Sequence, residues 1–171
     1  MKNSVIYTAL MGVIIALTIA FKVLMMAAPN ITIVTAVVIA VTIVFSDKDY
    51  RTGIKSGLII AIMYPIITGM IYGIGVWTIL QALCWMLVVF VSLLLKGLIG
   101  RQSVLKLSIM GFSLAFVYGF SMNICMAVLS GTMVTSVMAY FIMSFPYDLA
   151  HAISTLVALP VLVKLLKLVK I

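Results

Sequence analysis

The chain has 171 residues, of which 66% are hydrophobic and 8% charged, and it carries a net charge of +8. A soluble domain is about one quarter charged, so this composition excludes a water-facing globule and makes lipid the expected solvent. At about 20 apolar residues per crossing, the length accommodates roughly six spans with short connections and leaves no room for a soluble domain.

The first apolar stretch, from about Ser4 to Met25, is too long for a secretory signal core and is followed at once by another span, so it reads as a retained helix. The second, Ile31–Phe45, is short for a crossing, and Pro29 suits its first turn, where a missing N–H costs nothing. After the polar turn Ser46–Arg51 comes a third helix, Thr52–Tyr72, with Pro65 predicting a kink. Gly73-Ile74-Gly75 is a tight connection to a fourth helix, Val76–Leu95, and Lys96–Ser103 is a polar loop. A fifth helix, Val104–Leu129, is broken by Ser130-Gly131-Thr132. Residues 133–143 are apolar but too short to cross, and they are expected to lie at the interface or re-enter the membrane. The sixth helix is expected to begin near Pro146, with Ser144 as its N-cap and Pro160 as a kink. The fold class is thus an all-α, polytopic membrane protein, a compact six-helix bundle forming one domain over residues 1–171.

The basic residues orient that bundle. Lys2, the group Lys48, Arg51 and Lys55, the group Lys96, Arg101 and Lys106, and the tail lysines Lys164, Lys167 and Lys170 all fall on one side of a six-span topology. Positive charge is retained in the cytoplasm, so both termini are expected inside, and Lys22 alone falls outside. This placement accounts for the net charge without nucleic acid as a partner. The only cysteines, Cys84 and Cys125, form no metal or redox motif. There is one histidine and no glutamate, and neither Gly-x-Ser-x-Gly, His-Glu-x-x-His nor a Walker A loop occurs. No catalytic constellation, metal site or cofactor is therefore indicated.

In this topology Thr35, Gln81, Asn123, Asp148 and His151 all sit within roughly the outer 10 Å of the membrane. The inner half holds only hydroxyls such as Thr42, Ser92 and Ser108. Intramembrane polar groups are costly unless they face the bundle interior or a wet cavity, so a shared depth on four helices predicts a pocket open to the outside. Tyr64, Tyr72, Trp77, Tyr118 and Tyr147 lie at comparable depth as its walls. Other readings stay open. Trp77 and Tyr72 suit an interfacial aromatic belt. Asn123 and Gln81 suit bonding between helices, and Asp148 suits a helix N-terminus. His151 lies one turn beyond Asp148 on the same face, and the two are expected to hydrogen-bond. An anionic ligand would need a fixed cation, for which Lys22 is the outer candidate. A pore would carry polar groups along its whole length, and a complete transporter often shows internal repeats. Neither is present, so a substrate-capturing transporter subunit is favoured over a channel or scaffold. Thr8, Gly12, Ala16 and Ala20 form a ridge of small side chains on the first helix, suited to close helix approach, either inside this bundle or onto another subunit.

Three stretches also carry a resemblance. Pro29-Asn30-Ile31-Thr32-Ile33-Val34-Thr35-Ala36 is similar to a Pro-Asn-x-x-Pro-Val-Thr-Ala start of a second helix, with Ile33 in place of the second Pro. Gly73-Ile74-Gly75-Val76-Trp77-Thr78-Ile79-Leu80-Gln81, followed by Trp85, looks like a Gly-x-Gly-x-Trp-Thr-x-x-Gln block. Pro146-Tyr147-Asp148-Leu149-Ala150-His151-Ala152 looks like a Pro-Phe-Asp-x-x-His-Ala block, here followed by Ser154-Thr155 rather than Gly-Asn. Over nearly its whole length the chain resembles the substrate-binding (S) components of energy-coupling factor (ECF) transporters, in the subgroup that includes cobalamin and queuosine types. The resemblance implies a non-catalytic subunit in a prokaryotic plasma membrane that captures a vitamin outside. It docks on a transmembrane scaffold subunit driven by two ATPase subunits, then topples to release the vitamin inward. A corrinoid is the first expectation for the ligand, and queuosine or another small vitamin the alternative. Thr35, Trp77, Gln81, Asn123, Tyr147, Asp148 and His151 are expected at the ligand, and Gly12, Ala16 and Ala20 at the scaffold.

Overall fold

A computed structural model of the chain describes residues 2–28, 30–99, 103–131 and 133–169. Pro29, Arg101 and Lys170, used above for a helix start and for the charge pattern, lie outside the described residues. Six helices follow one another: α1 (Lys2–Leu24), α2 (Val34–Phe45), α3 (Tyr50–Tyr72), α4 (Val76–Ile99), α5 (Val104–Leu129) and α6 (Met133–Leu168). Five of them are long and apolar enough to cross a membrane, and α2 is not. The chain is therefore an all-helical, multi-pass membrane protein.

The short helix is the core. Its sequence, VTAVVIAVTIVF, is apolar on every side, and all twelve residues are buried. A helix that is hydrophobic all round belongs inside a protein or a membrane. At 1.5 Å per residue it is about 18 Å long, too short to span alone, and it touches each of the other five helices. Its two polar side chains divide its length. Near one end Thr42 donates back to the Val38 carbonyl of its own helix at 2.6 Å. Near the other end Thr35 turns its hydroxyl to residues on α4 and α6.

Caps and connections follow from local chemistry. Asp49 starts α3 by accepting from the Thr52 amide at 2.9 Å, and Ser103 starts α5 by accepting from the Lys106 amide at 3.3 Å, each satisfying an orphan donor of the first turn. Gly73 ends α3 at φ 109°, a conformation that residues with a Cβ rarely adopt. Ser130 and Gly131 end α5, as the sequence predicts. Pro65 and Pro160 lie within α3 and α6, not at their ends.

The sixth helix departs from expectation. It begins at Met133 and continues for 36 residues, so residues 133–143 are its first turns and not a separate interfacial or re-entrant segment. Ser144 is not an N-cap, and Pro146 lies inside the helix. The reason is tertiary. The Ser144 hydroxyl donates to Asp148 Oδ2, one turn ahead, at 2.7 Å, and receives the Asn123 amide from α5. Within a membrane, such side chains and neighbouring helices support a helix through a proline.

Apart from Lys22, the described basic residues gather at one end. Lys96 at the end of α4 forms an ion pair with Asp47 at 2.6 Å and donates to Ser46, joining the α4 end to the α2–α3 turn. Tyr7 of α1 reaches the same end, bonding Ser56 on α3 and lying below Lys55. α5 and α6 run antiparallel, with Gly111 against Thr155 and Leu159 and Gly119 against Asp148, so the start of α5 lies beside the lysine-bearing end of α6.

Candidate functional site

At the opposite end, a cavity of about 160 Å³ is lined by residues of all six helices and of the segment leading into α2. Its floor is an aromatic stack. Trp85 of α4 lies flat against Tyr118 of α5, with centroids 4.6 Å apart and planes 10° from parallel. Tyr64 of α3 meets the edge of Trp85 at 5.3 Å. Trp85 and Tyr64 are almost fully buried. His151 of α6 continues the wall beside Tyr118 at 5.7 Å. Toward the mouth stand Gln81 and Trp77 of α4, Tyr72 of α3 and Lys22 at the end of α1. Trp77 is half exposed. Its ring folds over Gly75, where any Cβ would collide with it, so the Gly73–Gly75 connection also positions the mouth.

A hydrogen-bond relay joins this floor to α2. The Trp85 Nε1–H donates to Thr35 Oγ1 at 3.0 Å, and Thr35 Oγ1 lies 2.9 Å from His151 Nε2. Thr35 is fully buried, and its hydroxyl has no further partner. An indole N–H can only donate and a hydroxyl carries one proton, so complete bonding requires Thr35 to donate to His151 Nε2. That assignment places the ring proton on Nδ1. His151 is 2% exposed, and its Nδ1 is the one buried side-chain N or O atom without a partner among the described residues. The Asn30 backbone lies close to the ring, yet nothing meets hydrogen-bond geometry with Nδ1. Native interiors rarely leave such a donor unpaired.

The structure thus divides the residues expected at the ligand. Trp77, Gln81 and His151 line the cavity, and Thr35 lies directly behind it. Asn123, Tyr147 and Asp148 do not line it. Asp148 is bonded to Ser144 and, at 3.2 Å, to Asn123, which clasps α5 to α6. The expected His151–Asp148 hydrogen bond is absent, because each side chain finds a partner on a different helix. Tyr147 is half exposed, and its carbonyl accepts from Asn30 Nδ2 at 2.9 Å. Sequence reasoning passed over Asn30, Thr32, Thr68 and Thr78 as cavity residues. Ser154 marks one of them, since it donates across to the Thr32 carbonyl at 2.9 Å. A hydroxyl beside a histidine on one helix face is a signal the sequence offers.

The small-residue ridge also has a clear position. Thr8, Gly12, Ala16 and Ala20 all face away from the bundle, and a Cβ added at Gly12 would meet nothing within 4 Å. Packing inside this chain therefore does not explain the ridge.

No protein family matches the chain, and no curated protein or solved structure gives a match either.

Proposed function

We propose that the chain is the substrate-capturing S component of an ECF-type importer, binding a vitamin or cofactor precursor in the cavity floored by Trp85 and Tyr118. The observation that carries this reading is the one-ended distribution of polar chemistry. The cavity, with His151 in its wall, lies at the end away from the basic clusters, and the inner half of α2 is closed by apolar packing. A site open at one end without a path onward suits capture and needs partners to complete transport. The exposed ridge on α1 supports docking of a scaffold subunit through close backbone approach. ATP hydrolysis then belongs to the two ATPase partners, and this chain is not an enzyme.

With the basic end in the cytoplasm, both termini are inside and the cavity opens outward. The cavity's size favours the small-vitamin alternative over a corrinoid. Pockets for drug-sized ligands occupy about 300–1,000 Å³, and this one is smaller at about 160 Å³.

The test is a calorimetric screen of the purified full-length protein against cobalamin, cobinamide, queuosine base and smaller vitamins. Micromolar or tighter binding of one compound supports capture, and no binding across the panel defeats it. Two further measurements check the parts. A reporter fused after Ile171 is active only in the cytoplasm. Gly12→Leu abolishes uptake by cells while the isolated subunit keeps its ligand affinity; equal loss of both returns the ridge to internal packing.

A further inference from the structure

The outer side of α3 carries a second feature, at the end away from the cavity. A groove of about 450 Å³ runs along the helix. Arg51 and Lys55, one turn apart, stand at its head, and Ile54, Leu58, Ile59, Ile62 and Met63 line the rest. These positions recur at spacings of three and four residues and so share one helix face. Ile54, Leu58 and Ile59 are half-buried, while Ile62, Met63 and both cations are exposed. From Ile54 to Met63 the apolar stripe runs about 14 Å, close to one leaflet of a hydrocarbon core roughly 30 Å thick. Two other apolar grooves, both between α1 and α6, hold no charged side chain.

The two cations at the head of the groove are not neutralised by their neighbours. Asp47 is paired with Lys96. Asp49 is taken up by the amide and the hydroxyl of Thr52. Arg51 acts on Asp49 electrostatically, as the weakest of the influences on that carboxyl, without forming an ion pair with it. Lys48, Arg51, Lys55 and Lys96 thus meet two carboxylates at this corner, and positive charge is in excess. Lys55 is held by a ring: its ammonium lies 5.8 Å from the centroid of Tyr7, whose hydroxyl bonds Ser56 on α3. Such a contact positions a cation without cancelling its charge. Basic side chains at a membrane surface often do no more than reach toward water. That accounts for Lys164 and Lys167, which line none of these grooves. It does not account for a groove that starts at two cations and continues for the depth of a leaflet.

An anionic amphiphile complements both parts. A guanidinium matches phosphate oxygens as a fork, and an ammonium adds a point charge. We infer that this face of α3 binds an anionic phospholipid from the leaflet at the basic end, with its phosphate between Arg51 and Lys55 and one acyl chain along Ile54 to Met63. The site lies apart from the cavity and does not rest on the capture reading.

The experiment is native mass spectrometry of the full-length protein, released from detergent and titrated with phosphatidylglycerol or with phosphatidylcholine of the same acyl chains. Each basic residue near an anionic headgroup contributes about a fivefold preference, so the wild type is expected to bind one phosphatidylglycerol about thirtyfold tighter than phosphatidylcholine. Replacing both cations, Arg51→Gln and Lys55→Gln, should bring the two lipids to about the same affinity. Lys164→Gln with Lys167→Gln removes the same charge on α6, which does not touch α3, and should leave the preference within about threefold of wild type, because such attraction fades within a Debye length. Ile62→Trp fills the groove at an exposed position without altering charge, and it should weaken both lipids and leave their ratio. Glycerol phosphate, a headgroup without chains, should not displace the lipid at equal concentration. Thermal unfolding verifies that the variants fold, and the comparison of the two lipids on the wild type needs no variant. Equal affinity for the two lipids, an unchanged preference in the Arg51 and Lys55 variant, an equal loss in the Lys164 and Lys167 variant, undiminished binding in Ile62→Trp, or displacement by glycerol phosphate overturns the proposal. A protein dimer that disappears in Ile62→Trp would assign the groove to a second copy of the chain and overturn it as well.

Discussion

Asp148 and His151 lie one turn apart on α6, and their surroundings are built on opposite plans. Around Asp148, the Asn123 amide and the Ser144 hydroxyl converge on a single carboxylate oxygen, and no buried polar atom of the cluster lacks a partner. Around His151, Thr35 and Trp85 complete one side of the ring and leave the other side unpaired. The first arrangement holds two helices together. The second ties α2, α4 and α6 together and leaves one ring nitrogen of His151 without a partner. Depth in the membrane does not separate these roles; the difference lies in whether the hydrogen bonds close on themselves.

The largest expected effect breaks the closed cluster sterically. A Cβ at Gly119 would lie 2.8 Å from Asp148 Oδ1, so Gly119→Leu must displace the Asp148 carboxylate from its bonds to Asn123 and Ser144. Overpacking costs about 1–3 kcal/mol and occasionally more, and here it also strains the Asn123–Asp148 bond. The thermal unfolding midpoint in detergent should fall further than for any other variant described here. Asp148→Ala comes next. It leaves the Asn123 amide, 8% exposed, with Ser144 as its remaining side-chain partner, at about 1–3 kcal/mol for lost buried hydrogen bonding. If Asp148 is purely a clasp, affinity for a compound found by the vitamin screen stays within about twofold of wild type in Asp148→Ala, well below the 1.4 kcal/mol that a tenfold loss represents. A tenfold loss would move Asp148 into the site and erase the contrast.

The two threonines of α2 sharpen the same comparison on a finer scale. Thr35→Val removes both the acceptor of the Trp85 indole and the partner of His151, leaving two buried groups unsatisfied, for about 1–3 kcal/mol. Thr42→Val removes a hydroxyl bonded only to its own helix. Such back-bonding adds little to helix stability, so its cost is expected to be about 1 kcal/mol or less. Equal shifts in unfolding midpoint would show that the relay contributes no more than a local bond.

Much of this was legible in the sequence for physical reasons. Lipid demands long apolar helices, and five of the six followed directly from hydrophobic run length. The basic residues were legible as groups, and the ion pair of Lys96 with Asp47 brings the end of α4 to the turn that precedes Lys48 and Arg51. Of the residues grouped by shared depth, Gln81 and His151 line one cavity and Thr35 bonds to His151. Asn123 and Asp148, at the same depth, do not line it, because periodicity gives the height of a side chain and not the helix it turns toward. The Thr35–His151 bond joins residues 116 positions apart, a pairing no local pattern encodes. The start of α6 was misread for a related reason. Ser144 and Pro146 are a strong N-terminal signal in water, and only the position of Asn123 on a neighbouring helix shows that Ser144 is engaged in mid-helix.

A third carboxylate gives the smallest effect and extends the comparison to water. Asp49 is fully exposed at the cap of α3, and its ionised oxygen accepts from both the Thr52 hydroxyl at 2.8 Å and the Thr52 amide at 2.9 Å. These bonds, the hydroxyl first, hold its pKa below the ordinary value of 3.8. A carboxyl whose pKa is lower folded than unfolded adds stability that is fully present above the unfolded pKa and is lost as pH falls through the folded one. The cap therefore contributes unchanged at neutral pH and weakens only below about pH 4. Asparagine caps comparably and does not titrate in this range. The unfolding midpoint of Asp49→Asn should match wild type at neutral pH and fall less steeply than wild type between about pH 4 and pH 3. A wild type and variant with parallel profiles across that interval would show that the ionised cap does not contribute to folding, whatever its geometry.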